Sequence, residues 1–329
     1  MASKASRNTR RGNGMRKIEP SVQTMLFNTD VIEVGGTGTF YIDLSQAASI
    51  LNRRFYRQGL NWAVAGFKIL TQNPFSISIR KAHDTWVTSG SWEKTMRHWL
   101  KQQNEAIAEA GAESAVSGFR DYKVYLDDEH VTAGTANTFD ANLLPLGGDG
   151  LPFPTGEWEP SQIVLPNFGA PGNTVEYNVK LYGSAASGAQ GAVDGYAQSR
   201  AYPQSPDPDA PAISLGWIGD MMDKGDDQDA VLQNATLKNN DLPYNQTVYP
   251  GVGSGAPGET AGTSMIHDIV NVTTTTIGGI TRAKGGSFPC GLIRLDATNQ
   301  GSISANFALL VELVPGNHRG YLAESMTEM

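Results

Sequence analysis

Phe75-Ser-Ile-Ser-Ile-Arg80 is the stretch that decides the fold class. Apolar and polar residues alternate through it, so an extended chain here has one apolar and one polar face. Thr174-Val-Glu-Tyr-Asn-Val-Lys-Leu-Tyr182 repeats the pattern, with Val175, Tyr177, Val179 and Leu181 on one face and Glu176, Asn178 and Lys180 on the other. Half-wet strands of this kind belong to antiparallel sheets.

The flanking sequence continues in the same style. Residues 29–34 and 37–43 read as partner strands around Gly35-Gly36. Further strands are expected at 62–70, 119–126, 161–165, 212–217, 268–277 and 291–296, and the longest at 302–314. Two helices interrupt them. In the first, Leu44, Ala47, Ala48 and Leu51 recur at helical spacing, Asp43 or Ser45 can cap the start, and Gly59 is the expected stop. The second opens at Ser89-Gly-Ser-Trp92, with Ser91 as cap and Gly111 at its end. Trp92, Met96, Trp99, Leu100 and Ile107 form its apolar stripe, a face to dock on a sheet or on another copy. The segments 127–160, 183–211 and 239–263 read as long surface loops, in keeping with 37 glycines and 17 prolines. With no strand–helix–strand rhythm and no fixed repeat, the expected fold is all-β. It is an antiparallel jelly-roll sandwich with one or two inserted helices and long surface loops.

The first seventeen residues, MASKASRNTRRGNGMRK, differ in kind from the rest. They carry Lys4, Arg7, Arg10, Arg11, Arg16 and Lys17 and no acid, with too few apolar residues to offset the entropy of ordering a backbone. The whole chain has 25 basic and 33 acidic residues, so without these six cations 19 basic face 33 acidic. A flexible cationic arm on an acidic body implies a polyanionic partner met by the arm. The division expected is a disordered arm at 1–17, one shell domain at 18–315 and a polar tail at 316–329. Arg53, Arg54 and Arg57 make a second basic cluster at the end of the first helix, read as an anion-binding surface or as ordinary solvated arginines.

Enzyme chemistry finds no foothold. The single cysteine, Cys290, reads as a small buried hydrophobe and excludes an intrachain disulfide. His83, His98, His130, His267 and His318 are scattered, without metal-binding spacing. Asp127-Asp-Glu-His130 is expected on extended chain, where neighbours diverge. Asp223, Asp226 and Asp227, with Gly225 between, are weak cation candidates that lack the EF-hand order. Gly35-Gly-Thr-Gly38 has neither a third dinucleotide glycine nor a Walker lysine, and Gly253-Ser254-Gly255 is no nucleophile elbow. No cofactor is expected. No apolar run follows the basic start, so no secretory signal is expected, and no stretch approaches the ~20 apolar residues of a membrane span.

The placement of RNTRRGNGMRK ahead of the first strands, with TWVTSGSWEKTMRHWLKQQNEA and FRDYKVYLDD further on, resembles the capsid proteins of small circular single-stranded DNA viruses that encode a replication initiator. The resemblance implies a single jelly roll that self-assembles into an icosahedral (T=1) shell of about 60 copies around the genome. It implies a virion protein with a passage through the host nucleus during assembly. It also implies that the arm and Arg53, Arg54 and Arg57 contact single-stranded nucleic acid without reading sequence. The arm is short and only moderately basic for that group. Two other readings fit less of the chain. One is the coat protein of a small RNA virus. The other is a β-sandwich carbohydrate-binding module using Trp86, Trp158 or Trp217, which leaves the arm unexplained.

Overall fold

The alternation at residues 75–80 becomes a strand in which Phe75, Ile77 and Ile79 are wholly buried and the residues between them half-buried. The computed structural model describes residues 20–134, 138–167, 170, 172–183, 188–198 and 264–329. The arm at 1–17, the strand expected at 212–217 and the Asp223, Asp226 and Asp227 cluster lie outside the described residues.

Among the described residues the elements run β1 (Thr24–Asn28), β2 (Thr37–Asp43), α1 (Leu44–Asn52), β3 (Leu60–Leu70), β4 (Phe75–Lys81), α2 (Trp86–Glu109) and α3 (Asp128–Ala133). They continue with β5 (Gln162–Pro166), β6 (Thr174–Lys180), β7 (Ala189–Gly191), α4 (Ala192–Gln198), β8 (Met265–Val272), β9 (Ile280–Phe288), β10 (Leu292–Asn299) and β11 (Ala308–Leu313). Three short strands end the chain: β12 (Pro315–Gly316), β13 (Gly320–Tyr321) and β14 (Ala323–Ser325). The class is mostly β-sheet with few helices.

One sheet runs β1-β11-β3. β9 lies along the opposite edge of β3, and β14 extends the row of β11. The other sheet runs β2-β10-β4-β8. Every pairing in both is antiparallel. The apolar faces meet in one core, where Phe27, Ile42, Phe67, Ile69, Phe75, Ile77, Phe288, Ile293, Leu295, Phe307 and Leu309 are almost fully excluded from water. A smaller sheet, β5-β6-β7, lies apart. The aromatic stripe of α2 docks within the chain: Trp92 and Trp99 pack on Tyr122, and Val179 of β6 belongs to the same cluster.

Several expectations need correction. The strand expected at 29–34 contributes only the bridge Ile32–Ala305, and the first ladder is β1. The segment 119–126 contributes only the bridge Tyr125–Lys180. α1 ends at Asn52, before Gly59, because Arg53 turns left-handed at φ 52°. α2 starts at Trp86, ahead of Ser91, with Thr85 at its N-terminus making no side-chain cap. Residues 316–329, expected as a polar tail, pack on the fold: β14 pairs with β3, and Tyr321 and Met326 are buried. No helix among the described residues is long and apolar enough to cross a membrane.

Candidate nucleic-acid interface

The site begins where β2 hands the chain to α1. Asp43 ends β2 and caps α1, its Oδ1 accepting from the backbone N–H of Ser45 (2.8 Å) and Gln46 (3.3 Å). Its Oδ2 accepts from Gln58 Nε2 (3.1 Å) and Trp158 Nε1 (3.0 Å). Burial pushes the Asp43 carboxyl up to about 6 against these four hydrogen bonds. The carboxyl thereby ties the connector after α1 to the protein interior.

That connector is anchored by alternate residues. Tyr56 is fully buried, takes Arg319 O as acceptor at 3.0 Å and packs on Tyr321. Gln58 is fully buried and holds both the N–H (2.6 Å) and the carbonyl (3.1 Å) of Val124. With 56 and 58 turned inward, Arg53, Arg54 and Arg57 are left exposed. Arg57 is itself anchored, donating to Arg120 O (2.6 Å), facing Asp121 at 3.4 Å and lying over the Phe55 ring at 5.5 Å.

Two distant segments complete the site. The turn before Tyr122 brings Gly118 and Phe119, whose ring is 71% exposed and meets Phe55 edge-on with centroids 5.4 Å apart. The turn before β13 brings His318 and Arg319, and Arg319 Nη1 donates to Phe55 O. Together they enclose a cavity of about 430 Å³ with arginines 54, 57 and 319, His318, two phenylalanine rings and no acid in its lining. A larger cleft of about 490 Å³ between α2 and the β5-β6-β7 sheet has no such bias, since Lys101 there faces Glu105 at 3.7 Å.

The attachment point of the arm lies at the same place. Val22 N–H donates to Asn52 Oδ1 (2.9 Å), and Val22 O accepts from Tyr321 Oη (2.6 Å). Gln23 Nε2 donates to Gly320 O (3.1 Å). Asn52 and Gly320 are the sequence neighbours of Arg53 and Arg319. Thus the chain enters the fold between the second basic cluster and the 318–319 turn. Lys4, Arg7, Arg10, Arg11, Arg16 and Lys17 themselves lie outside the described residues.

Several other residues singled out in the sequence make structural contacts. Asp127 caps α3, accepting from His130 N–H (3.0 Å) and Tyr41 Oη (2.8 Å) and pairing with Arg294 (2.8 Å). Glu129 pairs with Arg294 as well, at 2.5 Å. The run 127–130 is therefore a helix start, not extended chain, and two of its three acids, Asp127 and Glu129, share one guanidinium. Among the described residues no group of three or more His, Cys, Asp or Glu is placed to hold a metal ion. Cys290 is buried, and burial pushes its thiol up. Trp158 is buried and gives its N–H to Asp43, so it is not available to stack on a sugar; Trp86 is 43% exposed, and Trp217 lies outside the described residues.

Comparison with protein-family models, with curated proteins and with solved structures finds no match. The sequence reading missed Phe119, His318 and Arg319. Phe119 stood at the head of an expected strand, and His318-Arg319 in an expected tail. A bulky apolar residue flanked by Gly118 and Arg120 was the available signal for the first.

Proposed function

We propose that this chain is the coat protein of a small virus. It assembles with copies of itself into a closed icosahedral shell of about 60 subunits and encloses single-stranded nucleic acid. The observation that carries the reading is the convergence of the arm's attachment point with an acid-free cavity lined by arginines. A basic arm and a basic surface on one face can act on one polyanion together, each raising the effective concentration of the other. The acidic remainder of the chain disfavours nucleic acid elsewhere.

The strand order supports the architectural half. Strands β1, β3, β9 and β11 share one sheet, and β2, β4, β8 and β10 the other. Eight antiparallel strands divided in this way are the plan of a jelly roll, a fold that recurs in viral shells. Within this reading the protein is no enzyme and needs no cofactor. It resides in the virion, with a nuclear phase during assembly. The arm's contacts to phosphate leave DNA and RNA equivalent, and the resemblance to the circular single-stranded DNA viruses favours DNA.

Salt dependence tests the nucleic-acid half. For a single strand the slope of log K against log salt is about −0.7 per phosphate neutralised. Deleting residues 1–17 removes six cations and should flatten the slope by about 4. Replacing Arg53 and Arg54 with alanine should flatten it by about 1. Slopes unchanged in both variants would overturn the reading.

A further inference from the structure

We infer that the cavity between Arg54, Phe119, His318 and Arg319 receives one unpaired nucleotide, its base against the Phe119 ring and its phosphate on the arginines. This inference rests on the nucleic-acid reading of the same face and narrows it to single strands. Three features carry it.

The first is size and lining. About 430 Å³ lies in the range of small-ligand cavities. Its ionisable lining side chains are cationic or histidine, so the complementary ligand is an anion with a flat apolar part. The second is Phe119. A phenylalanine with 71% of its surface in water is unusual, because burying such a ring is favourable. It sits at the rim of the cavity, tilted 66° to Phe55, where a base could cover it. Stacking of this kind tolerates any base, since each has a π-face. The third is backbone strain. Among the described residues only three non-glycine positions have positive φ, and two of them are Arg53 (52°) and Arg319 (49°). Glycine would occupy either position with less strain. Both arginines flank the place where the arm enters the fold.

The guanidinium of Arg319 gives one Nη1 donor to Phe55 O and retains further N–H groups for a phosphate. Arg57 is committed to Arg120 O and Asp121 and acts as a positioning residue for Phe55. A duplex offers phosphates to such a face but keeps its bases stacked inside. A single strand can offer a base as well. The face should therefore prefer single strands beyond what charge alone gives.

The test is fluorescence anisotropy with a labelled oligothymidine and a labelled blunt-ended DNA duplex of equal charge. The full chain is kept dilute enough to stay unassembled. Phe119→Ala should weaken oligothymidine binding about ten-fold and leave duplex binding unchanged. Phe119→Trp should restore the affinity, with its added fluorescence quenched by the oligonucleotide. Equal losses for both probes, or no loss for either, would overturn the stacking role while leaving the arm's role intact. Displacement of oligothymidine by polyglutamate at matched charge, as readily as by unlabelled oligothymidine, would overturn it too and make the face a general polyanion site. Failure of the unmutated chain to bind either probe at low salt would instead remove the nucleic-acid reading itself.

Discussion

Protonation of His130 should weaken the fold, and the size of the effect follows from its surroundings. The imidazole is fully buried and stacked on Tyr41, with centroids 4.0 Å apart and 4° between planes. Its Nδ1 faces the Leu126 N–H at 3.2 Å, which can only donate, so Nδ1 carries no proton. Its Nε2 then donates to Asn142 Oδ1 at 2.9 Å. A second proton has no acceptor, and burial holds the ring down at about 4, with Asp127 opposing only in part. The unfolded chain titrates near 6.5 and so binds more protons than the fold between those values. Stability from this group is complete above pH 6.5 and is lost as pH falls through 4, a change of about 3 kcal/mol. Asp43 has the opposite sign. Its carboxyl, raised from 3.8 to about 6, adds stability that is complete below 3.8 and lost as pH rises through 6. The two windows overlap and nearly cancel, so unmutated protein alone is uninformative. A difference measurement separates them. His130→Gln should cost about 2 kcal/mol at pH 7 through lost packing and hydrogen bonds. The gap should close as pH falls, and near pH 4 the variant should be about 1 kcal/mol the more stable. Urea midpoints at pH 7, 6, 5 and 4 read this directly. A gap constant across that range, or one that widens in acid, would refute the reasoning.

Asp43→Asn should behave in the mirror sense, falling further behind unmutated protein by about 2 kcal/mol between pH 6 and 4 in the same urea series. Lys180 is wholly buried and paired with Asp128, so Asp128→Ala should cost about 3 kcal/mol. Adding Lys180→Met to that variant should recover most of the loss in thermal melts, because the buried charge is then gone. Arg53→Gly removes a left-handed arginine, and its stability should hold or rise by up to about 1 kcal/mol while affinity for a single strand falls. A loss of stability without a loss of affinity would count against a binding role for Arg53.

The alternation at β4 was legible because one wet and one dry face leave a period of two in the sequence, whereas in β6 Asn178 and Lys180 of the expected wet face are buried. The Asp43 cap was legible too, since a short acceptor ahead of an apolar helical run has a local meaning. β9 was not, because Gly285-Gly286 interrupts its side-chain pattern. In the fold a Cβ on Gly285 would lie 2.2 Å from Val64 O and 2.3 Å from Ala65 O. The β3–β9 register is the same on both sides of this point, Val64 facing Gly286 and Gly66 facing Lys284. Glycine here allows a close approach of the two backbones and does not end the strand. The strand expected at 302–314 shortens to β11 because residues 303 and 305 are used elsewhere: Ile303 O accepts from Asn299 Nδ2, and Ala305 bridges Ile32. Of the candidate site, only Arg53, Arg54 and Arg57 were visible in advance. Its other walls come from residues 118–119 and 318–319, and no local period links segments so far apart in the chain.

Assembly with bound nucleic acid is the central claim, and negative-stain microscopy with light scattering tests it most directly. The full chain and a chain lacking residues 1–17 are purified side by side. The account expects closed particles of about 20 nm from both, with far less nucleic acid carried by the chain lacking residues 1–17. A monodisperse monomer from the full chain across salt and pH would contradict it.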